Sequence, residues 1–296
     1  MQKISFFSYK GGSGRTSMLY NTLPFLVKEL GATKSEPIIV IDLDLDSKGL
    51  TYLFSRESRI SAVEVLKDDD TKVKFDEDNA SCVEEHSFFK LLAPVGQLLG
   101  LSPEENDAVL FISANSGSNI NLNGLNNYDA SSDVSLTWLN KICTRYRCKA
   151  IIMDTPAGDQ LTGTLALGLS DKIITVLRIT NQFQLGTYEF LQRASSRFVG
   201  LEFIIVPNAV PKLANTKYSI EKVMERIVNT TTAQAGRNKV NFAMIKNGEN
   251  GIGEVELFKF AETCLNKKEY DGEPLEADET VARDKFKKLA REIVNG

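Results

Sequence analysis

Phe6-Phe7-Ser8-Tyr9-Lys10-Gly11-Gly12-Ser13-Gly14-Arg15-Thr16-Ser17 is the stretch from which the rest of the chain is read. Ile4 to Phe7 is a short β-branched and aromatic run, glycines follow at positions 11, 12 and 14, and from Thr16 onward Leu19, Leu23 and Leu26 recur at helical spacing. The order is strand, glycine loop, helix. Glycine tolerates the backbone angles and close approach that let N–H groups close around an anion, and a helix N-terminus adds its dipole to the attraction. The ligand such a loop suits is a nucleotide phosphate. A glycine turn with no ligand fits the same spacing, but the following helix and the flanking cations Lys10 and Arg15 weigh against it.

The helix opened by Thr16 should run to about Leu30 and stop at Gly31. Pro37 then admits Ile38-Ile39-Val40-Ile41, a continuous apolar run suited to a parallel strand covered on both faces. It ends in Asp42-Leu43-Asp44-Leu45-Asp46-Ser47-Lys48-Gly49-Leu50. Carboxylates this close together need cations or hydrogen bonds to compensate them, and strand carboxyl ends are where a doubly wound sheet binds ligands. An acidic turn without chemistry is the alternative. Residues 51 to 130 are the least legible: Val63, Val65 and Leu66 suggest a short helix, Asp68 to Glu85 a solvated excursion, Val109 to Ile112 a buried strand, and Ser113 to Ser132 a long polar loop. Leu136, Leu139, Ile142, Cys143 and Tyr146 then mark a helix with one apolar stripe. Ala150-Ile151-Ile152-Met153-Asp154-Thr155-Pro156-Ala157-Gly158 is an apolar strand ending in a carboxylate.

Lys172 to Leu177 and Phe203 to Val206 read as further buried strands joined by a helix from about Gln184 to Phe198. The second leads to Pro207-Asn208-Ala209-Val210-Pro211. A polar helix near Tyr218 to Val228 and a last strand within Val240 to Ile245 follow, then a Gly- and Asn-rich turn at Asn247 to Gly253, Phe258, Phe260, and a closing helix from about Glu279 to Val294. Its expected apolar face is Val281, Phe286, Leu289 and Ile293, with Lys285, Lys287, Lys288 and Arg291 mostly elsewhere. Such a helix either packs on the sheet and shows its charges to water or presents a basic face to a membrane or to DNA.

The strict phosphate-loop pattern fails twice here, because Tyr9 stands at the first Gly position and Arg15 at the Lys position. What fits is Lys-Gly-Gly-x-Gly-Lys-Thr, and the chain resembles the deviant Walker A loop of the ParA/MinD family of P-loop ATPases, in a variant branch reading Tyr-Lys-Gly-Gly-x-Gly-Arg-Thr. The Asp-x-Asp strand end is similar to that family's switch I, and the Ile-Ile-x-Asp strand with its Thr-Pro-x-Gly continuation to its Walker B and switch II. The resemblance implies an α/β fold, a single doubly wound, mostly parallel sheet flanked by helices of the P-loop NTPase, Rossmann-like kind. It covers residues 1–296 as one P-loop ATPase domain, with 67–130 an insertion-like variable region and 278–296 a C-terminal amphipathic helix. It implies ATP and Mg2+ as cofactors, with Gly11, Gly12, Ser13, Gly14, Arg15, Thr16 and Ser17 on the phosphates, Thr16, Asp42 and Asp154 serving the metal, and Asp44 orienting the attacking water. Lys10 is implied to reach the phosphate site of a second copy, so that Lys10, Asp44 and Arg15 form the catalytic set. Asn208 is implied as an adenine contact and Pro211 as a wall beside it; a loop that merely ends a strand is the other reading.

The implied activity is weak ATP hydrolysis that switches a homodimer on and off, serving positioning, partition or partner regulation, with a protein partner and, through the C-terminal basic helix, a nucleic-acid or membrane surface as further contacts. An ATP-sensing module with little hydrolysis is the alternative, because Arg replaces Lys at position 15 and the two cations are not equivalent at a phosphate. A third reading, an amide-forming or carboxylating synthetase of the same superfamily, is disfavoured by Lys10. Composition agrees with this outline. The 296 residues carry a formal charge of −4 with both signs interspersed, so nothing advertises a global nucleic-acid or anionic-membrane field. Met1 runs into a strand without the basic and apolar regions of a leader, which predicts a cytoplasmic protein. Cys82, Cys143, Cys148 and Cys264 are scattered and His86 is the sole histidine, so neither a zinc site nor an iron–sulfur cluster is expected.

Overall fold

The computed structural model describes residues 1–67, 80–115, 136–198, 200–210, 220–236, 238–242, 252 and 264–295. Its strands are β1 (Gln2–Phe7), β2 (Ile38–Asp42), β3 (Ala93–Pro94), β4 (Val109–Ile112), β5 (Ala150–Asp154), β6 (Lys172–Leu177), β7 (Glu202–Pro207) and β8 (Lys239–Phe242). They form one eight-stranded sheet in the order β3-β4-β2-β5-β1-β6-β7-β8, parallel throughout except for the antiparallel pairing of β3 with β4. The helices are α1 (Arg15–Leu30), α2 (Gly49–Phe54), α3 (Ala62–Lys67), α4 (Thr137–Arg145), α5 (Leu161–Leu169), α6 (Asn181–Arg197), α7 (Ile220–Gln234), α8 (Leu265–Tyr270) and α9 (Ala277–Asn295).

Strands buried on both faces have no polar side to show, and their sequences are apolar at nearly every position for that reason. Ile4, Phe6, Val40, Ile152, Ile174 and Ile204 turn to the layer that holds Leu19 and Leu23 of α1 and Phe286 and Leu289 of α9. On the opposite face Ile39, Ile41, Ile151 and Met153 meet Val63 of α3 and Leu139 and Ile142 of α4. Phe7, Ile173, Phe203 and Ile205 meet Phe190 and Leu191 of α6 and Ile227 of α7. The parallel register sets Ile38 to Asp42 beside Ala150 to Asp154, and Gln2 to Phe6 beside the same strand, so the ends of β1, β2 and β5 lie side by side. The chain leaves β1 toward β2 on one flank and returns to β6 on the other, which makes the carboxyl end of β1 the switch point of the sheet, the place where open α/β sheets bind ligands.

α1 ends at Gly31, whose φ of 60° is left-handed and whose N–H reaches back to the Lys28 carbonyl. Within α1, Pro24 cannot donate to the carbonyl of Tyr20. That carbonyl accepts the Cys264 thiol instead, at 3.8 Å, so the residue preceding α8 repairs the gap in the helix ladder. Asn21 receives the Leu265 N–H on its side-chain oxygen at 2.9 Å, a second link between α1 and α8.

Several expectations shift by a turn or less. α1 begins one residue earlier, at Arg15, and α9 spans Ala277–Asn295. Its buried face is Ala282, Phe286, Leu289, Ala290 and Ile293; Val281, expected on that face, is 56% exposed, because the stripe that meets α1 runs one position further along the helix. The short β3, the helices α2 and α5 and three 3-10 turns at Phe89–Leu91, Gly96–Leu99 and Pro103–Ala108 were not legible in the sequence. Residues 68 to 79, most of the polar loop after Ser113, Pro211, Tyr218, the end of the last expected strand and the Asn247 turn lie outside the described residues, apart from Ile252. Among the described residues no helix is long and apolar enough to cross a membrane.

Candidate functional site

The glycine loop links the end of β1 to α1 as expected from its composition. Gly12 and Gly14 adopt φ values of 77° and 85°, a region that disfavours every side chain with a Cβ. Gly14 precedes the first helical residue, and its carbonyl accepts the Met18 N–H at 2.9 Å. A Cβ at Gly14 would stand 2.3 Å from Nδ2 of Asn208, which donates to the Ser13 carbonyl at 2.8 Å. Asn208 thus fastens the loop to the end of β7. Behind the loop, the Gly158 N–H donates to Ser8 O and the Thr155 N–H to Phe6 O, tying the segment after β5 to the same strand. Tyr9, in place of a glycine, is accommodated by another one: a Cβ on Gly186 of α6 would lie 1.9 Å from its ring.

Three carboxylates converge beside the loop. Asp42 and Asp154 are register partners on β2 and β5, and Asp44 follows β2 by one turn of chain. Arg15 answers them. Its Nε donates to Asp154 Oδ1 at 2.6 Å and its Nη2 to Asp44 Oδ2 at 2.8 Å, with weaker contacts from Nη2 to the Thr16 hydroxyl at 3.4 Å and from Nη1 to the Ser8 hydroxyl at 3.5 Å. The Thr16 hydroxyl donates to Asp154 Oδ2 at 2.8 Å. Asp42 accepts the Thr51 N–H at 2.9 Å, the Thr51 hydroxyl at 2.8 Å and the Asp44 N–H at 3.2 Å. Asp44 also accepts the Ser47 N–H and hydroxyl at 3.1 and 3.0 Å.

Burial governs the electrostatics. It pushes the Asp42 carboxyl up to about 7, reinforced by the neighbouring Asp154, although the Thr51 bonds pull the other way. Burial also raises Asp154, with Arg15 and Thr16 opposing it. For Arg15 burial works against the charge, but Asp154 and Asp44 outweigh it and hold the guanidinium more firmly protonated than usual. Among the described residues, Arg15 is the cation bonded to these carboxyls, and it reaches Asp154 and Asp44 but not Asp42.

Among the described residues no group of three or more His, Cys, Asp or Glu side chains is arranged to hold a metal ion unaided. The donors present are nevertheless hard oxygens. The Thr16 hydroxyl is within hydrogen-bond reach of Asp154, and Asp42 stands beside Asp154 in register. That set fits a magnesium-like ion that takes one or two carboxylates from the protein and completes its shell with phosphate oxygens and water. Gly49, whose Cβ would lie 3.3 Å from Thr16 Cγ2, leaves the threonine room.

The structure therefore brings together Gly11, Gly12, Ser13, Gly14, Arg15, Thr16, Asp42, Asp44, Asp154 and Asn208, and Ser17 begins the second half of the first turn of α1. Arg15 points at carboxylates, and the donor of Asn208 is engaged with the loop. Lys10 is half-buried and makes no ion pair among the described residues. Pro211 is outside them. Ser47, Thr51 and Ser8 were missed as site residues. Asp44-x-x-Ser47 is a recognisable side-chain turn that would have found Ser47, whereas Thr51, nine residues from Asp42, offers no spacing signal.

No family model matches the chain, and no curated protein matches it in sequence. Solved structures do. The septum site-determining protein MinD complexed with Mg-ADP, from Pyrococcus horikoshii OT3, superposes with a TM-score of 0.60 at 16% identity, covering 99% of this chain and 95% of that one. A McdA–ATP complex from Cyanothece gives 0.59 at 16% identity, covering 96% of both chains. A ParA family ATPase from Chlorobium tepidum TLS gives 0.58 at 14% identity, covering 98% and 97%. Along nearly its whole length, this chain has the fold of the MinD, McdA and ParA ATPases.

Proposed function

We propose that the chain is a Mg2+-dependent ATPase of the ParA/MinD kind, in which ATP controls the association of two copies and so the positioning of a partner or cargo in the cytoplasm. The observation that carries this reading is the convergence, at the switch point of the sheet, of a left-handed glycine loop, Thr16 at a helix start and the carboxylates of Asp42, Asp44 and Asp154. Phosphoryl transfer asks for a phosphate cradle, a metal holder and a group that positions water, and the glycine loop, the oxygens of Thr16, Asp42 and Asp154, and Asp44 support assignment to those roles. The solved relatives bound to Mg-ADP and to ATP support the same ligands.

In this reading the loop N–H groups and Arg15 hold the phosphates. Thr16, Asp154 and Asp42 hold Mg2+, which when bound neutralises phosphate charge. Asp44 orients the attacking water, and Lys10 reaches across to the second copy. Asn208 steadies the loop and is assigned to the adenine.

One observation favours the second reading, an ATP-sensing module with little hydrolysis. Asp44 is bonded to both Arg15 and Ser47, which holds it away from a water-activating task. Phosphate release at steady state, measured with sedimentation of the same samples, separates the two. Turnover with ATP-dependent dimers supports the switch, bound ATP without turnover supports the sensor, and failure to bind ATP rejects both.

A further inference from the structure

Arg15 brings the positive charge of the acidic centre from the residue position where a phosphate-facing cation is expected. Its Nε and Nη2 are committed to Asp154 and Asp44, and the Thr16 hydroxyl donates its proton to the second oxygen of Asp154. The guanidinium is 6% exposed and its carboxylate partners are buried. In the proposed site a hard divalent cation would need the Asp154 oxygens that Arg15 and Thr16 now occupy, and the Thr16 oxygen turned toward the ion. The guanidinium and the metal therefore compete for Asp154, while the bond to Asp44 helps to hold the guanidinium in place.

We propose that Arg15 is the built-in counter-cation of this centre: it keeps free divalent cations off Asp154 and Thr16, and a nucleoside triphosphate admits the metal by drawing the guanidinium from carboxylate to phosphate. This rests on reading the glycine loop as a triphosphate cradle. Two features of the geometry support the exchange. Arg15 is the first residue of α1, next to Gly14, so its side chain springs from the floor of the loop itself. Its third nitrogen, Nη1, has only the long contact to Ser8 at the loop's base, so the fork is not saturated by the carboxylates. A planar guanidinium meets the two carboxylates with donors in a fixed fork, whereas a lysine ammonium would offer them a compact, more strongly hydrated point charge, which gives arginine at this position a consequence of its own.

Breaking a buried pair leaves uncompensated charge, so departure of the guanidinium and arrival of the metal have to be linked. Linked binding is reciprocal: if the triphosphate tightens metal binding, the metal tightens triphosphate binding by the same factor. The order of events is then set by the protein, with nucleotide first or nucleotide and metal together.

The test is Mn2+ binding to the full chain, followed by the electron paramagnetic resonance of free Mn2+, with and without ATP. Wild type should bind Mn2+ weakly alone and at least about tenfold more tightly with ATP. Arg15→Gln, its fold checked by circular dichroism, should bind Mn2+ without nucleotide about tenfold more tightly than wild type and gain less from ATP. If Arg15→Gln does not fold, Arg15→Lys replaces it, with tighter nucleotide-free Mn2+ binding again expected. Equal Mn2+ affinity of the folded variant and wild type without nucleotide overturns the proposal, as does a wild type that binds Mn2+ equally well with and without ATP. ATP that fails to bind wild type overturns the cradle reading and the exchange with it, whereas tighter Mn2+ binding by the variant would still support exclusion by Arg15.

Discussion

Gly14 and Asn208 show how closely the loop is fitted at the level of single residues. An alanine at 14 meets two penalties, a left-handed backbone and a Cβ 2.3 Å from the Asn208 amide. Gly14→Ala should lower stability by about 2–3 kcal/mol in urea unfolding, and Asn208→Ala by about 1 kcal/mol through the lost bond to Ser13. The double variant should cost measurably less than the sum, because removing the amide relieves the clash. Strict additivity would mean that the two residues do not share the contact. The catalytic assignment has its own test at this scale: Asp44→Ala should slow phosphate release at least about tenfold while ATP-dependent dimers persist, and an unchanged rate would remove Asp44 from the chemistry. The glycines and carboxylates of the site were legible in the sequence because they sit at strand ends in a fixed order. The aim of Arg15 was not, since charge and spacing say nothing of which anion a flexible side chain will choose, and the hydroxyls of Ser8 and Thr51 carry no period at all.

Among the elements, α1 and its neighbours decide how the site is held. Burial pushes the Cys264 thiol up to about 11, partly offset by the backbone N–H groups of Asn266 and Lys267. A thiol harder to ionise in the folded state favours folding fully below its ordinary value of 9.0, and this contribution is lost as pH rises through about 11. Cys264→Ala should therefore unfold with a shallower loss of stability between these pH values, the difference reaching about 2–3 kcal/mol. It should also cost about 1 kcal/mol at neutral pH, by exposing the unpaired Tyr20 carbonyl. Parallel slopes for the variant and wild type would contradict the clasp.

The closing helix is anchored by Phe286 against the α1 layer, while Arg291 meets Glu29 at 2.9 Å and Arg283 lies over the Phe25 ring at 5.5 Å. Phe286→Ala should lose about 3–5 kcal/mol and Lys287→Ala, on the exposed side, less than about 0.5, both read by thermal unfolding. These helices differ in how legible they were. α1 and α9 show a clear apolar stripe, although the stripe of α9 was placed one position early at Val281. α5 was hidden because it is apolar all round and carries Gly163 and Gly168, and β3 because two residues, one of them Pro94, make no pattern.

For the whole molecule, the sheet was legible from its runs of Ile, Val and Phe, since a strand covered on both faces must be apolar throughout, and the order of motifs along the chain placed the site at the carboxyl ends of the strands. Strand order, and the joining of α8 to α1 through Cys264 and Leu265, depend on contacts between residues far apart in sequence, which no local pattern encodes. The proposed output is also a property of the whole molecule, because it assigns Lys10 to the phosphate site of a second copy. Lys10→Ala should abolish ATP-dependent dimers in sedimentation while leaving the monomer folded, and an unchanged dimer fraction would reject the cross-subunit role. All of this depends on triphosphate binding at the glycine loop, and isothermal titration calorimetry of the full chain with ATP and Mg2+ tests that most directly. The account predicts a saturable heat with about one ATP per chain, weakened at least about tenfold in Thr16→Ala; no heat from wild type would contradict it.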